Sequence, residues 1–155
     1  RVRILGHWQA VNASTGQLFN FVEGMPAGMV YDTEPACRAL VAAGQVSADK
    51  IWPLALLIQQ AFYCEGIDVT KASELRRLAE QTGLCSHAFA TAFDSPAAYE
   101  ATQADFVWVE NLGIAGFPTL LAQREGRTAL LTNGYQPLAT LEPLLARWLE
   151  QPAHA

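Results

Sequence analysis

From Ile4 to about Gly113, apolar residues recur at intervals of three and four, the spacing that gathers them on one side of an α-helix. Start and stop residues divide this stretch into segments. "ILGHWQAV" predicts a weak first helix that ends before Ser14-Thr15-Gly16. Asp32 or Thr33 can cap a helix beginning "EPACRALVAA", and Pro35 is tolerated in its first turn because that N–H has no partner to lose. Ser47 predicts the start of "ADKIWPLALLIQQAFYC", with Pro53 near its beginning. Thr70 opens "KASELRRLAEQTG", where Glu74 sits near the positive end of the helix dipole and Gly83 is the stop. Ser86 starts a short helix through Phe93. Ser95-Pro96 is a strong start signal for "AAYEATQADFVWVENLG", with Tyr99, Thr102, Phe106, Val109 and Leu112 along one face and Gly113 at the end.

After Gly113 the period changes. "PTLLAQ" and "RTALLTN" are short runs split by Glu125-Gly126, which predicts an antiparallel hairpin. "NGY" then turns the chain into "QPLATLEPLLARWLE", where Leu138, Leu141, Leu145 and Trp148 form an apolar stripe. The tail is therefore β-β-α. A two-stranded hairpin with one helix does not hold by itself in water, so it calls for further strands, and little before Gly113 offers them.

With 51% apolar and 16% charged residues, the 155-residue chain is globular and has enough apolar side chains for one good core, most simply as a single compact domain. The change of period divides it into a helical stretch, 1–112, and a mixed stretch, 113–155. A net charge of −5 without any basic run argues against a nucleic-acid surface. Apolar stretches such as "PLALLI" fall well short of the roughly 18 residues that span a bilayer. Arg1 is neither an initiator Met nor the start of a signal-peptide pattern, and the expectation is that further chain precedes it. Cys37, Cys64 and Cys85 form no Cys-x-x-Cys and no metal-ligand spacing with His7, His87 or His154, so no metal site is expected. They are expected to be free thiols in a reducing compartment, each a small buried hydrophobe.

Pro118 is the sharpest feature. It stands where a strand needs its first backbone N–H, and from the residues alone it is either a trans proline at an edge strand or part of a built loop. A helix, a glycine-containing loop, x-Pro-Thr, a hairpin and a closing helix together resemble the second half of a thioredoxin fold. The likeness extends through "YDTEPACRAL", "QQAFYCEGIDVT" and "GIAGFPTLL...NGYQPLATLEPLL" to the helical insertion and closing β-β-α of the DsbA family, its FrnE-like branch in particular. It covers essentially the whole chain. The fold class expected is α/β, a thioredoxin-like fold whose C-terminal β-β-α half is present, carrying a helical insertion domain.

The resemblance implies thiol-disulfide oxidoreductase chemistry, with a thiol- or disulfide-containing protein or peptide as partner. In that family a β-α-β unit carries Cys-x-x-Cys at a helix N-terminus, which acidifies the attacking thiol. This chain has neither, so no catalytic residue is assigned within it and the redox pair is expected upstream. By the same resemblance Phe117 and Pro118 are the substrate-binding residues, with a cis bond between them that aims the backbone of Phe117 toward an extended substrate; X–Pro is the bond at which cis costs only about 0.5–1 kcal/mol. No cofactor is expected unless the chain follows the glutathione-binding isomerase and kappa-class transferase relatives. A non-catalytic peptide-binding module is the other alternative. The location expected is the bacterial cytoplasm, or the periplasm if a signal peptide precedes.

The remaining candidates read as scaffold. His7 beside Trp8 is a packed surface histidine, and Asp32 with Glu34 marks a helix start. Trp52, Phe62, Tyr63, Trp108 and Trp148 are mostly core, some lining a substrate groove. Arg76-Arg77 is an exposed helical pair, and no Ser/His/Asp set or phosphate loop appears.

Overall fold

The computed structural model describes residues 2–151, Val2 by its backbone alone; His154 lies outside the described residues. Two compact units divide between Asp105 and Phe106, within one continuous helix.

The first unit contains α1 (Val2–Thr15), α2 (Glu34–Val46), α3 (Ile51–Tyr63), α4 (Ala72–Gln81), α5 (Ser86–Phe93) and the beginning of α6 (Pro96–Asn111). Helix α1 runs to Thr15 and does not stop before Ser14. The hydroxyls of Ser14 and Thr15 donate back to the carbonyls of Ala10 and Val11, and Gly16, at φ 72°, ends the helix. The run expected as one helix from Ala48 is two elements, a 3₁₀ turn (Ala48–Lys50) followed by α3. Proline explains the break: a continuous helix would need an N–H at Pro53 to reach the carbonyl of Asp49.

Helix starts meet expectation in part. Of the two candidates ahead of α2, Thr33 makes no capping bond and Asp32 supplies one, its carboxylate accepting from the Glu34 N–H at 2.9 Å. Ser47 makes no side-chain capping bond, its hydroxyl donating to Asp49, and Thr70, whose hydroxyl donates to Asp68, lies one residue ahead of the α4 N-cap, Lys71. Ser95 does cap α6, its hydroxyl accepting from the Ala98 N–H at 3.1 Å. Ser95→Ala is therefore expected to cost about 1 kcal/mol in urea unfolding, whereas Ser47→Ala should change little.

The core lies in this unit. Leu54, Ile58 and Phe62 of α3 pack with Leu75 and Leu78 of α4 and with Phe89 and Phe93 of α5. Ala39, Ala42 and Ala43 are fully buried, and their small side chains let α2 approach its neighbours closely. Trp8 brings α1 onto the end of α3, edge-on to Phe62 at 5.4 Å and to Tyr63 at 5.2 Å.

The second unit holds the end of α6, β1 (Thr119–Arg124), β2 (Arg127–Asn133) and α7 (Leu138–Glu150). The strands pair antiparallel as expected, Leu121 opposite Leu130 and Ala122 opposite Ala129, with an irregularity at Leu120/Leu121. Glu125 (φ 52°) and Gly126 (φ 77°) form the left-handed two-residue turn whose twist matches the strands. Arg124 ties the sheet to α7, donating to the carbonyls of Leu149 and Gln151 at 2.9 Å each. Packing here is thin. Among the described residues Ala122, 8% exposed, is the one buried hydrophobe of the unit, and Leu138 and Leu145 of the expected stripe are exposed. Leu112, Ile114, Leu121 and Leu130 line an open apolar hollow of about 320 Å³.

Candidate functional site

The loop between α6 and β1 carries the candidate site. Leu112 and Gly113 still bond back to α6, and Ile114 donates to the Val109 carbonyl at 3.3 Å. The chain then crosses Ala115-Gly116 and enters Phe117–Pro118, whose peptide bond is cis. Two bonds fix the loop to the strand ends. The Thr119 hydroxyl donates to the Gly116 carbonyl at 2.7 Å, and the Gly134 N–H donates to the Pro118 carbonyl at 2.8 Å. Proline here removes an N–H at a position where the sheet requires none, because β1 begins at Thr119 and pairs with Asn133.

Phe117 is left outside this network. Its side chain is 83% exposed, and among the described residues neither its N–H nor its C=O has a hydrogen-bond partner. Pro118 is exposed beside it. The loop thus offers a rigidly held, solvent-facing peptide group with one donor and one acceptor, and an apolar ring next to them.

The cysteines are elsewhere. Cys37 sits in α2, Cys64 follows α3 and Cys85 precedes α5, and all three are free thiols of the first unit. Expected burial fails for Cys85, which is exposed, and is only partial for the other two. Cys85 occupies the position ahead of the first turn of α5, while Leu84 and Phe89 on either side supply the core contacts. Cys64 donates to the Leu18 carbonyl at 3.3 Å. Burial pushes the Cys37 thiol up, and the carboxylates of Glu34, Asp105 and Asp32 push it further. A thiol so disfavoured as thiolate is a poor nucleophile.

Other candidates find their places. His7 and His87 are exposed, as are Arg76 and Arg77. Among the described residues no three His, Cys, Asp or Glu side chains converge as metal ligands. Phe62 is core and Tyr63 half-buried, but Trp52 is 78% exposed, Trp108 is exposed and Trp148 half-buried. Trp52 lies two residues, about 200°, from Leu54 on α3, hence on the opposite face from the core stripe.

The structure also holds a cluster that the sequence reading missed. Arg38, 6% exposed, donates to both oxygens of Glu34, at 2.8 and 3.3 Å, and to the Phe93 carbonyl at 2.8 Å. Its guanidinium lies between the rings of Phe93 and Tyr99, 4.0 and 3.8 Å from their centroids. The four-residue spacing of Glu34 and Arg38 is a legible signal for an ion pair on a helix. The rings come from 55 and 61 positions further along, where no local pattern points to them.

Helical insertion, cis-proline loop, hairpin and closing helix together define a DsbA-like thioredoxin fold of the thiol-disulfide oxidoreductase class. Residues 9–146 match the model of the DSBA-like thioredoxin domain family, and the chain belongs to that family. Among solved structures it is similar to a Nitrosomonas europaea protein provisionally described as a protein disulfide isomerase, at 39% identity and a TM-score of 0.93, over all of this chain and 75% of that one. It is also similar to the cytosolic disulfide reductase DsbM from Pseudomonas aeruginosa, at 29% identity and a TM-score of 0.76, over 93% of this chain and 74% of that one. A structure of DsbM with GSH matches at 27% identity and a TM-score of 0.76, over 96% and 76% of the two chains. No curated protein matches.

Proposed function

We propose that this chain is the substrate-groove half of a DsbA-like thiol-disulfide oxidoreductase, and that the redox cysteine pair lies on a preceding β-α-β unit. The observation that carries this reading is the Phe117–Pro118 loop, with its exposed and unbonded peptide group at the head of a hairpin in a chain of this family. An extended thiol- or disulfide-bearing polypeptide pairs with that group as it would with a strand edge. Support for a preceding unit comes from the thinly packed hairpin and α7, whose apolar surfaces a further sheet and helix would cover. The two relatives act on disulfides by their names, and the cytosolic place of one favours the cytoplasm for this protein.

The chemistry assigns separate tasks. A thiolate upstream attacks one sulfur of a substrate disulfide, forming a mixed disulfide and expelling the other substrate sulfur as thiolate; the second cysteine then attacks the mixed disulfide, releasing the first substrate thiol and leaving the pair joined as a disulfide. Phe117 and Pro118 hold the substrate backbone during the exchange and transfer no proton or electron. Cys37, Cys64 and Cys85 take no part.

Insulin reduction tests the assignment. The 155-residue chain should reduce insulin no faster than dithiothreitol does without it, and the protein with its preceding Cys-x-x-Cys unit should reduce it catalytically. Replacing Cys37, Cys64 and Cys85 together with serine in that protein should leave the rate largely intact. A preserved fold with lost activity would put one of the three in the exchange pathway and end this reading.

The DsbM structure with GSH favours a second reading, in which the same loop takes glutathione. Calorimetric titration with reduced glutathione separates the two, since a peptide-specific loop gives no saturable heat.

A further inference from the structure

We propose that the Phe117–Pro118 loop selects extended segments that carry an aromatic or large aliphatic side chain beside their cysteine, and discriminates against charged segments and glutathione. This rests on the reading of the loop as the element that holds substrate, and adds to it the class of segment held.

Two exposed rings stand at the loop. Phe117 is 83% exposed, and its N–H and C=O have no hydrogen-bond partner among the described residues. A strand that pairs with those groups lays one of its own side chains beside the Phe117 ring, because directly opposed residues hold their Cβ atoms about 5 Å apart. Tyr135, 51% exposed, follows the glycine whose N–H bonds the Pro118 carbonyl. That bond and the pairing of Thr119 with Asn133 bring the two segments together.

The same two segments are without charge. Residues 111–123 and 128–141 contain no Asp, Glu, Lys, Arg or His. The charges of the hairpin, Arg124, Glu125 and Arg127, stand at its turn, the length of β1 or about 20 Å from the loop, and Arg124 is committed to the carbonyls of Leu149 and Gln151. A charged group docked at the loop gives up hydration and meets no opposite charge in these segments. Glutathione brings two carboxylates and an ammonium group to such a surface. An apolar side chain has no hydration of that kind to lose, and it removes both its own surface and that of the exposed ring from water. Cysteines set among apolar residues are those that a folded protein buries and an unfolded one exposes. The substrate class is therefore the unfolded or misfolded polypeptide.

Binding of capped pentapeptides to the 155-residue chain, followed by amide and methyl chemical shifts, tests the selection without any redox step. Serine stands in for cysteine. The probes are acetyl-Thr-Phe-Ser-Phe-Thr-amide, its counterparts with alanine, glutamate or lysine in place of both phenylalanines, and reduced glutathione. The phenylalanine peptide is expected to bind about fivefold more tightly than the alanine, glutamate or lysine peptide, and to keep that preference in about 0.5 M salt, because no ion pair carries it. The amide resonances of Gly116, Phe117, Thr119 and Tyr135 should move on its addition. Phe117→Ser should bring the phenylalanine and alanine peptides level, Phe117→Leu should retain their order, and Phe117→Lys should make the glutamate peptide the better binder. Position 117 is exposed, so the fold tolerates all three. Equal binding of the phenylalanine and glutamate peptides, tighter binding of glutathione, no binding, or shifts confined to the hollow at Leu112, Leu121 and Leu130 would each overturn the proposal. Insulin reduction bears on the redox reading alone: its failure with selective binding intact removes the oxidoreductase assignment and leaves the selection standing.

Discussion

Replacing Arg38 with alanine is expected to lower the stability of the helical unit by about 3–5 kcal/mol, a large share of the margin of a domain this size. The guanidinium is almost completely buried, so its charge is stabilised only by what it touches. Glu34 neutralises it, the Phe93 carbonyl takes a third bond, and two aromatic faces cover it. Removing the side chain leaves a gap between Phe93 and Tyr99 and strips Glu34 of its partner. Lysine is not a substitute. It keeps the charge but lacks the planar fork that meets two carboxylate oxygens and lies flat between rings, so Arg38→Lys should still cost about 2 kcal/mol. Glu34→Ala should also destabilise strongly, because it leaves a buried cation with a lone carbonyl. The decisive measurement is a double-mutant cycle in urea. If the pair is the anchor, the double variant should lose less than the sum of the two single losses by about 1.5–3 kcal/mol. Additive losses would show that Arg38 stabilises through packing on the rings alone.

That cluster marks where sequence reading reaches its limit. Local signals worked where the chemistry is local. Ser95-Pro96 starts α6 because a hydroxyl next to a helix start has a nearby N–H to accept from, and Glu125-Gly126 turns the hairpin because both residues take positive φ. Ser47 and Thr70 carry the same type of signal and failed, because α3 and α4 begin further along, with Lys50 and Lys71 at their N-cap positions. The loop at Phe117–Pro118 was legible through family likeness, not through proline statistics, which favour a trans bond. Burial was the least legible property. Helical periodicity marks an apolar face but not whether anything covers it, and the stripe of α7 stays largely open although its spacing is as regular as that of α3. Arg38 was hidden for the complementary reason. A charged residue reads as surface until distant rings are known to enclose it.

Gly66→Ala is expected to cost about 3 kcal/mol, about twice the effect of the same change at Gly83. Both glycines have left-handed backbones, φ 68° and 87°, and at each a side chain carries the ordinary penalty of that region, about 1–2 kcal/mol. They differ in surroundings. A Cβ at Gly83 meets nothing within 4 Å, whereas at Gly66 it falls 2.6 Å from the carbonyl oxygen of Glu23 and 3.7 Å from the Cα of Gly24. The opposing backbone cannot give way easily. Asn20 holds it from both sides, its N–H donating to the Tyr63 carbonyl at 2.8 Å, its carbonyl accepting from Gly24 at 2.8 Å and its side chain from Glu23 at 3.0 Å. Gly24 itself has no room, since a Cβ there falls 2.0 Å from the Asn20 oxygen and 2.6 Å from the Trp8 ring. Two glycines thus press the segment around Asn20 against the turn that follows α3, and that contact seats Trp8 among Phe62, Tyr63 and Phe19. Urea unfolding of the Gly66, Gly24 and Gly83 alanine variants isolates the steric cost, because the Gly83 value measures the backbone penalty alone. Near-ultraviolet circular dichroism should change for the first two, whose aromatic cluster is disturbed, and stay native for the third. Equal losses at Gly66 and Gly83 would mean that the segment moves aside freely and that the close approach contributes nothing to stability.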